Sequence, residues 1–183
     1  MMKSVLITIR PQLVEKIASG QKTIEVRKTA PKEVPFKAYI YCTKEKKQDD
    51  IIWAGIFGDR GKWNGRAIGW FICDKVERLE EHIEQGGLYY TLVEGFNEQA
   101  QLDNWELHDY GKGKTLYGWH ISDLKIYDNP KELSEFSRPC SYSGLCFSCK
   151  RTSFKKDGNL LCNTKITRPP QSWMHVEDLG EKE

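Results

Sequence analysis

Missing from this chain are the features by which a sequence most readily declares its chemistry. No glycine-rich phosphate loop, H-E-x-x-H pair or nucleophile elbow occurs. The four histidines, His82, His108, His120 and His175, have no metal-ligand spacing among themselves. No apolar run approaches the roughly 20 residues of a membrane span, which argues against a membrane partner. The opening "MMKSVLITIR" has an apolar core, Val5 to Ile9, too short for a secretory signal, and it lacks a small-residue cleavage site. A cytoplasmic protein is the expectation. There is no internal repeat and no low-complexity tract, which excludes solenoids and argues against a long disordered arm.

Charge is plentiful but unevenly spread. The net charge is only +2, yet Glu77 to Asp109 holds nine acids against one base, and Arg138 to Arg168 holds seven bases against one acid. The basic segment is the part suited to an anion such as nucleic acid, with a solvated basic loop as the bland alternative. At 183 residues the chain is long enough for one domain with a real core and short for two. We therefore expect a single domain over 1–183.

Local patterns organise that domain. "SVLITI" is β-branched and runs into Pro11, which suits a helix start; Leu13, Val14, Ile17 and Ala18 then recur at helical spacing until Gly20. "KTIEVRK" follows as a strand with Ile24 and Val26 inward, so Glu25 and Arg27 share the opposite face. "FKAYIYCT" and "RAIGWFICDKVERL" read as further strands, the second with a bulge or bend at Gly69. Residues 45–65 read as a loop or lid. The acidic stretch has helical character: Asp103 can cap "NWELHDYG", with Glu106 completing a capping box. "LYGWHISDLKIYD" returns to strand, "NPKELSEF" reads as a short helical turn or an ordered loop, and "SWMHVEDL" supplies a last strand. Five or six strands with short helices predict an α+β protein, a small mixed barrel flanked by helices.

Cysteine is concentrated late in the chain. Cys140, Cys146, Cys149 and Cys162 are spaced C-x5-C-x2-C-x12-C, within a segment 138–165 that interrupts the chain before the last strand. In a reducing compartment, clustered thiols are more often metal ligands than disulfides, and four thiolates satisfy tetrahedral zinc with no open position. A structural zinc is the favoured reading. An iron–sulfur cluster takes the same ligands, but the spacing matches neither common ferredoxin pattern. Four reduced cysteines without metal is the third possibility. Cys42 and Cys73 fall inside strands and read as core.

Lys22, Glu25 and Arg27 stand apart as three charges at the start of the second strand. On charge alone, a solvated edge and a site both account for them. The spacing Gly20-x-Lys22-x-x-Glu25-x-Arg27, after a strand and short helix, resembles the signature of the ASCH domain in the PUA-like superfamily. "LITIRPQLVEKIASGQKTIEVRK" is similar to that family's opening, and "LYGWHISDLKIYDNPKELSEF" with "TRPPQSW" resembles the later part of small ASCH proteins often encoded by phages and bacteria. The resemblance covers most of the chain outside 45–65 and the cysteine module.

It implies a PUA-like β-barrel carrying the zinc-bound insertion. RNA or a nucleotide derivative would bind in a cleft lined by Gly20, Lys22, Glu25 and Arg27. Arg10, at the end of the first strand, is positioned to overhang it. Some small bacterial relatives are amidohydrolases acting on acetylcytidine, with a lysine matching Lys22, a threonine where this chain has Glu25, and a further glutamate. An amidohydrolase using Lys22 and Glu25 is thus the alternative, although the threonine is absent here.

Overall fold

A computed structural model describes residues 2–44, 58–84, 87–90, 92–140, 152–154, 160–162 and 164–180. The chain is mostly sheet with a few short helices, the α+β class expected. The elements are β1 (Lys3–Ile9), α1 (Pro11–Ala18), β2 (Ile24–Arg27), β3 (Phe36–Cys42), β4 (Ala67–Cys73), β5 (Val76–Leu79), β6 (Glu81–Glu84), β7 (Gly87–Tyr90), α2 (Phe96–Ala100), α3 (Asn104–Gly111), β8 (Leu116–His120), β9 (Ser122–Lys131), β10 (Thr152–Phe154), β11 (Leu160–Cys162) and β12 (Trp173–Val176). Short 3-10 helices cover Gly58–Trp63 and Leu133–Glu135. Among the described residues no helix is long and apolar enough to cross a membrane.

The opening hook forms for the reasons its residues suggest. Pro11 sits in the first turn of α1, and the apolar stripe buries Val14 and Ile17. Gly20 takes a positive φ of 76° and turns the chain so that the Lys22 amide donates to the Lys16 carbonyl. All four residues of β2 are buried, the charged pair included.

Two sheets enclose the main core. One has five strands in the order β12-β1-β3-β4-β9, with β1 and β3 parallel; the other has three, β2-β8-β5. Between them lie Val5, Ile7, Ile9, Phe36, Ala38, Phe71 and Trp119, with α1 contributing Val14 and Ile17. The alternate residues of β1, β3 and β4, such as Leu6, Tyr39 and Trp70, face a second cluster capped by Phe136 and Ile166. A third lies beyond the small sheet, where Ile24, Val26 and Leu116 meet Phe96, Ala100 and Leu107.

Three expectations need correction. The sheets do not close: among the described residues the ladders run as separate open sheets plus the hairpins β6-β7 and β10-β11, so a closed barrel is not seen. The acidic stretch after "RAIGWFICDKVERL" is strand over β6 and β7 before it turns helical, because aromatic Tyr89 and Tyr90 fit a pleated surface. Finally, "RAIGWFICDKVERL" and "LYGWHISDLKIYD" are each two strands, broken at Asp74–Lys75 and at Ile121, where the chain passes between sheets. The two corners are joined by the His120 amide donating to the Lys75 carbonyl.

Gly69 marks the bulge expected of it. The β3–β4 register slips between Ile40 and Tyr41, leaving Ile68 unpaired opposite them, and the β4–β9 register slips beside the same glycine. A Cβ at Gly69 would lie 2.1 Å from the backbone oxygen of Lys125. Gly69→Ala should therefore destabilise the protein by about 1–3 kcal/mol, since the clash is with backbone that cannot swing aside. Urea denaturation measures this, and an unchanged midpoint would show that the β4–β9 contact yields.

Candidate functional site

The site lies at the β2 edge of the space between the two sheets. Glu25 and Arg27 point to the face they share with Trp119 and Tyr117, their register partners on β8. That face looks toward β1, so the charges have nowhere to reach water freely: Lys22, Glu25 and Arg27 are 1%, 3% and 8% exposed. The solvated-edge reading of these three charges is thereby excluded.

Buried, they neutralise one another. Arg27 Nη2 is 2.9 Å from Glu25 Oε1 and donates to the Thr8 carbonyl at 2.6 Å. Lys22 Nζ is 3.4 Å from Glu25 Oε2 and donates to the Ala100 carbonyl at 2.5 Å. Burial pulls the Lys22 ammonium below the ordinary lysine range, and the opposing pull of Glu25 does not cancel it. Two polar atoms keep unused capacity, since Glu25 Oε2 and Arg27 Nε are buried with no hydrogen-bond partner among the described residues. Such atoms are destabilising unless water or a ligand completes them.

A cleft of about 500 Å³ opens over this cluster. Its floor is Glu25, Val26 and Arg27, with Lys22 bordering it. One wall is the end of β1 and the start of α1: Thr8, Ile9, Arg10 and Leu13. The opposite wall is Leu102 with Trp105, Glu106, Asp109 and Tyr110 of α3; Thr43 and Gln171 complete the rim.

That second wall is set by local capping chemistry. The Asp103 side chain accepts from the Glu106 amide, and the Glu106 side chain accepts from the Asp103 amide. The capping box fixes where α3 begins, and so where Trp105 stands. Trp105 is 73% exposed, the most exposed large apolar side chain among the described residues.

Of the residues expected at the site, Arg10, Lys22, Glu25 and Arg27 come together around one cleft, with Arg10 exposed at its mouth. Gly20 lies in the turn before them and outside the lining. The wall of α3 is not among the expected site residues, although "NWELHDYG" holds a signal: a Trp and, five residues on, a Tyr in a polar helix, where burial is not an obvious use for either.

Elsewhere, His120 Nε2 is 3.3 Å from Glu77 Oε2 at the sheet corner, away from the cleft lining. Cys42 and Cys73 are buried among the core residues as expected, and burial pushes the Cys73 thiol up to about 12. Among the described residues no group of three His, Cys, Asp or Glu side chains is placed to hold a metal. Cys146 and Cys149 lie outside the described residues, as does most of the 45–65 loop.

No family model and no curated protein matches the sequence. Solved structures do match the fold. The crystal structure of ASCH from Zymomonas mobilis is 15% identical with a TM-score of 0.53, over 96% of this chain and 88% of that one. A mutant form of the Zymomonas mobilis protein is 16% identical with a TM-score of 0.54, over 96% and 89%. The chain therefore has the fold of the ASCH domain.

Glu25 is the carboxylate between two buried cations. Glu25→Ala should cost about 3–5 kcal/mol, the usual penalty for breaking a buried pair and stranding its partner. A loss below about 1 kcal/mol in chemical denaturation would mean that the cluster is screened by solvent.

Proposed function

We propose that the cleft is the ligand site of an RNA- or nucleotide-derivative-binding module of the ASCH family, PUA-like in character. The observation that carries this reading is a cleft of nucleoside size with aromatic surface at the rim and a charged donor–acceptor floor. Trp105, and Tyr110 on the same helix, offer flat surfaces on which a base can stack. The guanidinium of Arg27 and carboxylate of Glu25 supply the donor and acceptor that a base edge requires. Arg10 at the mouth suits a phosphate of the same strand. The ASCH fold agrees with this at a coarse level.

The amidohydrolase alternative draws support from the weakened basicity of Lys22, which a general base would need. Against it, the Lys22 nitrogen is already committed to the Ala100 carbonyl, and its side chain has no exposed surface. Binding is the better-supported reading.

The basic cysteine-rich segment would widen the contact surface, organised by zinc. Its neck is closed by the Ser137–Lys165 bridge and the Arg138 amide donating to the Thr164 carbonyl. Inside the neck, the β10-β11 hairpin sets Cys162 opposite Thr152, three residues after Cys149. The sequence spacing fits a set of Cys140, Cys146, Cys149 and Cys162 closing on one ion. Bound there, zinc would cross-link the segment.

Two measurements test these readings. Single-stranded RNA should bind with an affinity that falls steeply with salt. Trp105→Ala should weaken binding by about 1–3 kcal/mol, the worth of one stacked base. Absence of binding to RNA and to all four ribonucleosides at low salt would sink the proposal. Separately, purified protein should contain about one equivalent of zinc, lost on Cys149→Ser; less than about half an equivalent would reject the metal.

A further inference from the structure

Lys22 is the motif residue that chemistry would most readily place against a ligand, yet its surroundings assign it elsewhere. Its side chain has no exposed surface, whereas those of Glu25 and Arg27 keep 4% and 9%. Its ammonium ends on the carbonyl of Ala100, the last residue of α2. The adjacent residue, Thr23, donates its amide to the Gln99 carbonyl. Two successive residues of the hook thus hold the two final carbonyls of that short helix, which has exhausted its own donors there.

Beyond Ala100 the chain becomes the cleft wall. Gln101 turns in the left-handed region at φ 52°, and its side chain donates back to the Glu98 carbonyl. The Leu102 amide donates to the Asn97 carbonyl, Asp103 caps α3, and Trp105 stands in the first turn. From Lys22 to Trp105 every step is a short hydrogen-bonded connection. The end of α2 is the point at which the small sheet sets the wall's place.

We propose that Lys22 is a positioning residue: by holding the Ala100 carbonyl it fixes the α2–α3 segment, and with it Trp105 and Tyr110, at the distance from the β1 wall that gives the cleft its width. It does not touch the ligand. This rests on the reading of the cleft as the ligand site, but its test does not depend on that reading alone.

Lys22→Met keeps the length and the apolar stem while removing every donor. Hydrogen exchange followed by mass spectrometry should show amides of 99–110 exchanging at least about tenfold faster in the variant, with β1, β3 and α1 unchanged. Affinity for whichever of cytidine, uridine, adenosine or guanosine binds the unaltered protein best should fall about tenfold or more, and the quenching of tryptophan fluorescence by that nucleoside should shrink with it. Unchanged exchange at 99–110 overturns the proposal, as does faster exchange spread evenly over the hook and both sheets, which would mark a general scaffold role.

Should the variant not fold, amine labelling of the unaltered protein decides the matter. Lys22 should stay unlabelled, with and without nucleoside, while exposed lysines react. Labelling of Lys22 in the free protein that nucleoside suppresses would make it a ligand contact and overturn the assignment. If no nucleoside binds, the proposed binding function fails, while the exchange and labelling results still decide what Lys22 does.

Discussion

A carboxylate shared by two buried cations is the interaction on which the rest of this structure depends. Glu25 holds Arg27, which reaches the Thr8 carbonyl on β1, and faces Lys22, which reaches the Ala100 carbonyl at the end of α2. Through three side chains the small sheet is tied both to the large sheet and to the helical wall. Hydrophobic clusters lie on each face of β2, but they are non-directional and would tolerate sliding. The ionic cluster is directional, and a slip of one residue in β2 would exchange Glu25 and Arg27 for Ile24 and Val26. Burying so much charge is unfavourable in itself, and such clusters contribute more by specifying one arrangement than by adding net stability.

The hook of β1, α1 and β2 is legible in the residues because each of its signals is local. A β-branched run, Pro11 in the first helical turn, a 3.6-residue stripe and a glycine at a positive φ all agree within thirty positions. The Gly69 bulge and the Asp103–Glu106 capping box are legible for the same reason. The two sheet-crossing runs are not, because a strand that leaves one sheet for another keeps its β pattern and changes only its partners. Nor is the open form of the sheets, which is decided by which edges meet.

The site divides in the same way. Its floor could be read from the spacing of Lys22, Glu25 and Arg27, since alternation along a strand places the last two on one face. Its far wall could not, for Trp105 is separated from Glu25 in sequence by β3 to β7. The weight given to Lys22 also shifts. Proximity to Glu25 suggests an ammonium held firmly charged, yet burial outweighs that attraction. Sequence spacing reports which charges are neighbours and is silent on how deeply they lie.

The paired neck at Ser137 and Lys165 has a consequence for how such a protein changes over generations. No strand of the two sheets is drawn from between these residues, so insertions or losses there need not disturb the register of either sheet. Lengthening a loop closed in this way adds little entropy cost, because that cost grows only with the logarithm of its length. The fold thus offers a socket at which a lineage can acquire, exchange or discard an accessory module, while the cleft on the other side of the large sheet's first strand is inherited unaltered.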